Sequence, residues 1–178
     1  SKWTTNAAID FQFYSGAALN ECKDHGSADI RVTLHHMDRK FYSSLDPVDF
    51  DWSRYGKQST QNPAAVSLSL VNAHQAFLID DKAYFHFNVA HEFGHALGLM
   101  HEHQRIDCSQ WLADDATIMK VYQFKSADDL KTFKENFAKI PTTNAYYKPV
   151  AYSSFDLMSV MMYNFPGGIW KNVPNNPC

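Results

Sequence analysis

Apolar and polar residues alternate in two short stretches near the start of the chain. In 7–14, AAIDFQFY, residues Ile9, Phe11 and Phe13 share one face, and in 28–35, ADIRVTLH, Ile30, Val32 and Leu34 do so. A period of two predicts half-buried strands. A polar link with Gly16, Cys22 and Gly26 joins them. Residues 46–64, rich in Asp, Ser, Gln, Asn and Pro, predict a long surface loop. In 65–71, AVSLSLV, Ser67 and Ser69 alternate with Val66, Leu68 and Leu70. One wet face and one apolar face suit a strand at a sheet edge. The period then lengthens: Phe85, Val89, Phe93, Ala96 and Leu97 predict a helix over 82–98, stopped by Gly98. A second helix is predicted over about 126–139, opened by a Ser126/Asp129 capping box. Leu130, Phe133, Phe137 and Ile140 form its buried stripe, and Pro141 stops it. The tail from Pro166, with Gly167, Gly168, Pro174 and Pro177, reads as a loop.

Composition narrows the class. With 178 residues, 45% of them hydrophobic and 15% aromatic, the chain can bury one sizeable core. Its 16 basic and 19 acidic residues leave a formal charge of −3, which gives no reason to expect nucleic acid or an anionic membrane as partner. No apolar run approaches the ~20 residues that span a bilayer. The chain begins at Ser1 with no basic-then-apolar leader, so a targeting segment is expected to have been removed or to lie outside it. Cys22, Cys108 and Cys178 leave open one disulfide with a free thiol, an intermolecular bond, or three free thiols. None sits in a CxxC pair, which disfavours a cysteine zinc site.

The chemistry is concentrated in HEFGHALGLMHEH, residues 91–103. His91 and His95 are four apart on the predicted helix, so their rings share a face and can share a metal. Glu92, beside the first ligand, is placed to take a proton from a water in the same cleft. Gly98 can adopt positive φ, turning the chain so that His101 returns as a third ligand. Three nitrogens with a fourth position open are the ligand set of a catalytic zinc. HExxH occurs by chance on ordinary helices. A Gly and a His at the two further fixed positions coincide by chance on the order of one time in 300. Far along the chain, SVMMY at 159–163 supplies the methionine-bearing turn that accompanies HExxHxxGxxH, with Met161 as floor and Tyr163 able to reach the metal.

These two motifs resemble the signature of the metzincin proteases. Glu102 directly after the third histidine, and Tyr163 in the turn, make the chain similar to the astacin-type enzymes, especially those secreted by microbes. The resemblance implies an α+β, zincin/metzincin-like fold: a twisted mixed β-sheet with an active-site helix in an N-terminal subdomain (about 1–98), and a mostly irregular or helical C-terminal subdomain (about 99–178). It implies Zn2+ on His91, His95 and His101, with Glu92 as general acid/base and Met161 as the Met-turn residue. Tyr163 resembles the tyrosine that ligates the resting metal and stabilises the oxyanion. Glu102 resembles the glutamate tied to the mature N-terminus, and Asp107 a residue that braces the segment after the third ligand. The strand Val66, Ser67, Leu68, Ser69 and Leu70 sits where the family has its substrate-binding edge strand. Family domains begin with a strand and helix and end with another helix, so a trimmed chain is expected.

The activity expected is hydrolysis of internal peptide bonds in a protein or peptide substrate, by a secreted monomer. The pocket beyond the cut would be lined around Tyr163–Lys171. A competing reading is a zinc-stabilised binding module that cleaves nothing; retention of Glu92 and Tyr163 speaks against it. His25, His35, His36, His74, His86 and His103 lack ligand spacing and read as structural or surface groups, His103 bonding outward. Asp114, Asp115, Asp128 and Asp129 read as helix-start charges rather than a calcium site. Asn-x-Ser/Thr does not occur, so N-glycans are not expected.

Overall fold

Three short strands meet around Leu68 in the computed structural model, which describes residues 28–34, 50–62, 65–104, 108–140, 156, 158–163 and 165–172. The strand expected over 7–14 lies outside these residues. β1 (Val32–Thr33), β2 (Trp52–Ser53) and β3 (Leu68–Ser69) form a mixed sheet in the order β1-β3-β2. Val32 pairs with Leu68 and Thr33 with Ser69 in parallel, while Trp52 pairs with Ser69 and Ser53 with Leu68 antiparallel.

This order corrects the reading of Val66, Ser67, Leu68, Ser69 and Leu70 as an edge strand. β3 is paired on both sides, and all five residues are buried, serines included. The Ser67 hydroxyl is satisfied inside the protein, accepting the Arg31 N–H at 2.7 Å. The face expected of β1 is also inverted: Val32 and Leu34 are exposed, while Arg31 and Thr33 are buried. The Arg31 guanidinium is the reason. Its Nε donates to the Ala65 carbonyl at 2.6 Å and its other nitrogens donate to the carbonyls of Ala28, Ser59 and Asn62. A charged group so completely hydrogen-bonded can be buried where an unpaired one could not. It pins the loop, part of which winds into a 3-10 turn over Gly56–Thr60, onto the sheet.

The chain does not stay extended after Leu70. Val71–Leu78 form α1, burying Val71, Ala73 and Ala76. The N–H groups of Asn72 and Ala73 donate to the Asp51 carboxylate at 2.8 and 3.0 Å. A carboxylate there satisfies orphan donors and opposes the helix dipole. A tight corner with Asp80 at φ 62 then leads into α2, Lys82–Ala96, capped by Asp81, which accepts from the Tyr84 N–H at 3.1 Å. The stripe Phe85, Val89, Phe93 and Ala96 packs against Leu68, Leu70 and Ala73, laying α2 on the sheet. Leu97 is the C-cap and Gly98 follows at φ +94. Nothing lies within 4 Å of where a Gly98 Cβ would be, so the requirement for glycine is conformational, not spatial.

Beyond the site the chain builds a second apolar core. α3 (Asp115–Tyr122) is capped by Asp114, and α4 (Ala127–Glu135) by the Ser126/Asp129 box, so these aspartates are helix-start groups as expected. Cys108, Leu112, Ile118, Leu130, Phe137 and Ile169 are buried together. Cys108 is disulfide-bonded; Cys22 and Cys178 both lie outside the described residues. The tail is more ordered than a loop: Gly167–Ile169 form a 3-10 turn and Trp170 bridges to Leu112 antiparallel. Sheet and helices together make an α+β fold. No helix among the described residues is long and apolar enough to cross a membrane.

Candidate metal centre

One turn of α2 separates His91 from His95, and their rings meet edge to face at 4.7 Å. Each ring is oriented by a main-chain carbonyl. His91 Nδ1 lies 2.8 Å from the Val160 oxygen and His95 Nδ1 lies 2.8 Å from the Leu99 oxygen. A carbonyl can only accept, so both Nδ1 atoms carry the proton and both Nε2 atoms present a lone pair. Past the Gly98 bend, His101 brings its Nε2 to 3.1 Å from that of His95. The ligand atoms of all three lie within 4.8 Å of one another.

The electrostatics fit a cation. Burial lowers the His91 pKa against the opposing Val160 bond, holds His95 down at about 4, and, with the neighbouring imidazoles, holds His101 at about 2. All three are therefore neutral near pH 7, the state in which imidazole ligates. His91 Nε2 is buried with no hydrogen-bond partner. A buried orphan lone pair is costly, and converging lone pairs are relieved by a shared dication. Three imidazole nitrogens are a donor set suited to zinc.

Glu92 is buried beside this cluster, its Oε2 without a partner. Desolvation, reinforced by the Asp51 carboxylate, pushes its pKa up to about 8. The Tyr163 ring lies 4.1 Å from that of His101 and 5.4 Å from that of His91. Desolvation and the Glu92 carboxylate push its phenol up to about 12. Met161 is buried, and its carbonyl accepts the Glu102 N–H at 2.9 Å. Glu102 is buried as well, its Oε1 accepting the Asp156 N–H at 2.9 Å. The glutamate thus ties the third-ligand segment to the turn below it; Ser1 and Asp107 lie outside the described residues.

Two neighbours escape sequence reasoning. The Tyr55 ring meets His95 edge on at 4.7 Å, brought there by the turn after β2. His103 does not bond outward. It is 0% exposed, with Nε2 3.0 Å from the Asn136 carbonyl and its ring stacked 5.1 Å from His101. Burial holds its pKa at about 4. The only local signal for it was the i, i+2 spacing from a ligand, which says nothing of burial.

The sequence model of the astacin family of peptidases matches residues 2–168. Among solved structures the chain is similar to that of myroilysin, with a TM-score of 0.61 and 24% identity over 96% of this chain and 70% of that one. At that identity the likeness speaks for the fold. No curated protein matches the chain.

Proposed function

Because the chain belongs to the astacin family and is a zinc metalloendopeptidase, we propose that it cleaves internal bonds of proteins with Glu92 as general acid/base and Tyr163 as oxyanion donor. The observation that carries this reading is the convergence of His91, His95 and His101 beside the buried, partnerless carboxylate oxygen of Glu92. Bound by the three imidazoles, zinc supplies Lewis acidity that polarises the scissile carbonyl and acidifies the attacking water.

The protein's own groups do the rest. Glu92 accepts the proton of the attacking water and then returns it to the leaving amine. The Tyr163 phenol, beside the ligand imidazoles, donates to the developing oxyanion. The carbonyls of Val160 and Leu99 hold the first two imidazoles in the ligating tautomer. An extended substrate would pair with β2 rather than with the 66–70 segment, since β2 lies outermost on that side of β3 among the described strands. The disulfide at Cys108 supports secretion, since such bonds persist in oxidising compartments.

The test is digestion of casein by zinc-loaded protein with and without a zinc chelator. New internal termini that vanish with chelator are expected; an intact substrate in the zinc-loaded sample would leave the binding-module reading in its place.

A further inference from the structure

The α2 stripe that carries the ligands continues outward past them. Phe87 is four residues before His91 and Tyr84 three before Phe87, so all lie on one side of the helix. Phe85, Val89 and Phe93 take the opposite, sheet-facing side. The character of the ligand stripe changes along its length. His91 and His95 are buried, whereas Phe87 is 38% and Tyr84 44% exposed. The Phe87 ring stacks on His91 at 5.8 Å and 28°. Tyr163, 41% exposed, stacks on the same imidazole at 5.4 Å and 28°. The first ligand is thus flanked by two large aromatic rings that reach solvent at the mouth of a buried polar site. Binding sites are built in this way, apolar walls around a few placed polar groups.

Resting on the peptidase reading, we propose that Phe87, extended by Tyr84, is a specificity shelf. It receives a large apolar side chain of the substrate next to the scissile bond. A ring held flat against a ligand imidazole offers an apolar face to whatever the substrate presents beside the metal. A leucine or phenylalanine side chain laid on it leaves water, while an alanine gains little. Charge sharpens the choice. The carboxylates of Asp51 and Asp81 act on the Tyr84 phenol, so an acidic substrate side chain would meet repulsion at that end of the shelf.

The test uses zinc-loaded wild type, F87A and F87L. A peptide library read by mass spectrometry identifies the selected position, and quenched peptides carrying Phe, Leu, Ala or Asp there give kcat/KM. Wild type should cut the Phe and Leu peptides about 10-fold or more faster than the Ala peptide, with Asp slower still. In F87A the Phe/Ala ratio should collapse towards unity, and in F87L the Leu/Ala preference should survive. Because each ratio is internal to one variant, loss of folded protein cancels. A wild-type ratio retained in F87A, or a wild-type preference for small or acidic residues, would overturn the shelf. Failure of zinc-replete wild type to cut any peptide would instead overturn the peptidase reading, and the shelf with it.

Discussion

His91 donates from Nδ1 to the carbonyl of Val160 at 2.8 Å, a hydrogen bond that spans 69 residues of chain. One bond therefore fixes the tautomer of the first ligand and fastens the active-site helix to the turn bearing Met161 and Tyr163. The three ligands meet where two separately built halves of the site are sewn together, so metal binding and the integrity of that seam should rise and fall together.

Removing zinc should accordingly do more than stop turnover. Chelation should abolish proteolysis and lower Tm, and readdition of zinc should restore both. At a metal concentration a thousandfold above Kd the stabilisation is about 4 kcal/mol. Differential scanning calorimetry against free zinc checks this; a Tm indifferent to zinc would contradict the assigned ligands.

Glu92→Gln should retain zinc, because the ligands are untouched, and lose activity by about 100-fold or more, the scale of a general base. Metal analysis beside a peptide assay separates the two quantities. A variant with zinc and near-normal turnover would remove Glu92 from its role.

Tyr163→Phe keeps the ring contacts with His91 and His101 and deletes only the phenol oxygen. We expect kcat to fall by about 100-fold with little change in KM, as for loss of one oxyanion donor. A change confined to KM would mark the residue as a substrate contact alone.

Glu102→Ala breaks the bond from the Asp156 N–H and loosens the segment that carries His101. Zinc affinity should weaken by about 10- to 100-fold, as for other outer partners of metal ligands, while Glu92 chemistry in the zinc-saturated variant survives. Competition with a fluorescent zinc chelator measures the affinity.

Arg31→Met keeps an apolar stem and strands the four carbonyls it served. The loss should be about 3 kcal/mol or more in stability, read as a lower urea midpoint. The zinc-saturated fraction that remains folded should stay active, since Arg31 braces the sheet and not the ligands.

The ligand helix and α4 were legible because their determinants are local. Phe85, Val89, Phe93 and Ala96 keep helical time, and Ser126 with Asp129 caps a helix within four residues of sequence. α1 was missed for the opposite reason: its capping carboxylate, Asp51, comes from 21 residues upstream. The serines of β3 misled because alternation reports a wet face only when the other side of the strand is open. Here both sides are covered: the Ser67 hydroxyl accepts the Arg31 N–H inside the protein, and Ser69 is buried although its hydroxyl has no hydrogen-bond partner among the described residues. His103 was misjudged on the same ground, its acceptor Asn136 lying 33 residues away.

By itself the sequence determined which three imidazoles converge, which carboxylate stands beside them and where the chain must bend. Those follow from the helical period and from one glycine at φ +94, both properties of neighbouring residues. Only the tertiary structure decided what surrounds them: Val160 behind His91, His103 against His101, Phe87 open beside the ligands, β2 rather than β3 outermost. Such choices depend on how distant segments close and pack against one another, and a residue's immediate neighbours in sequence carry no record of that.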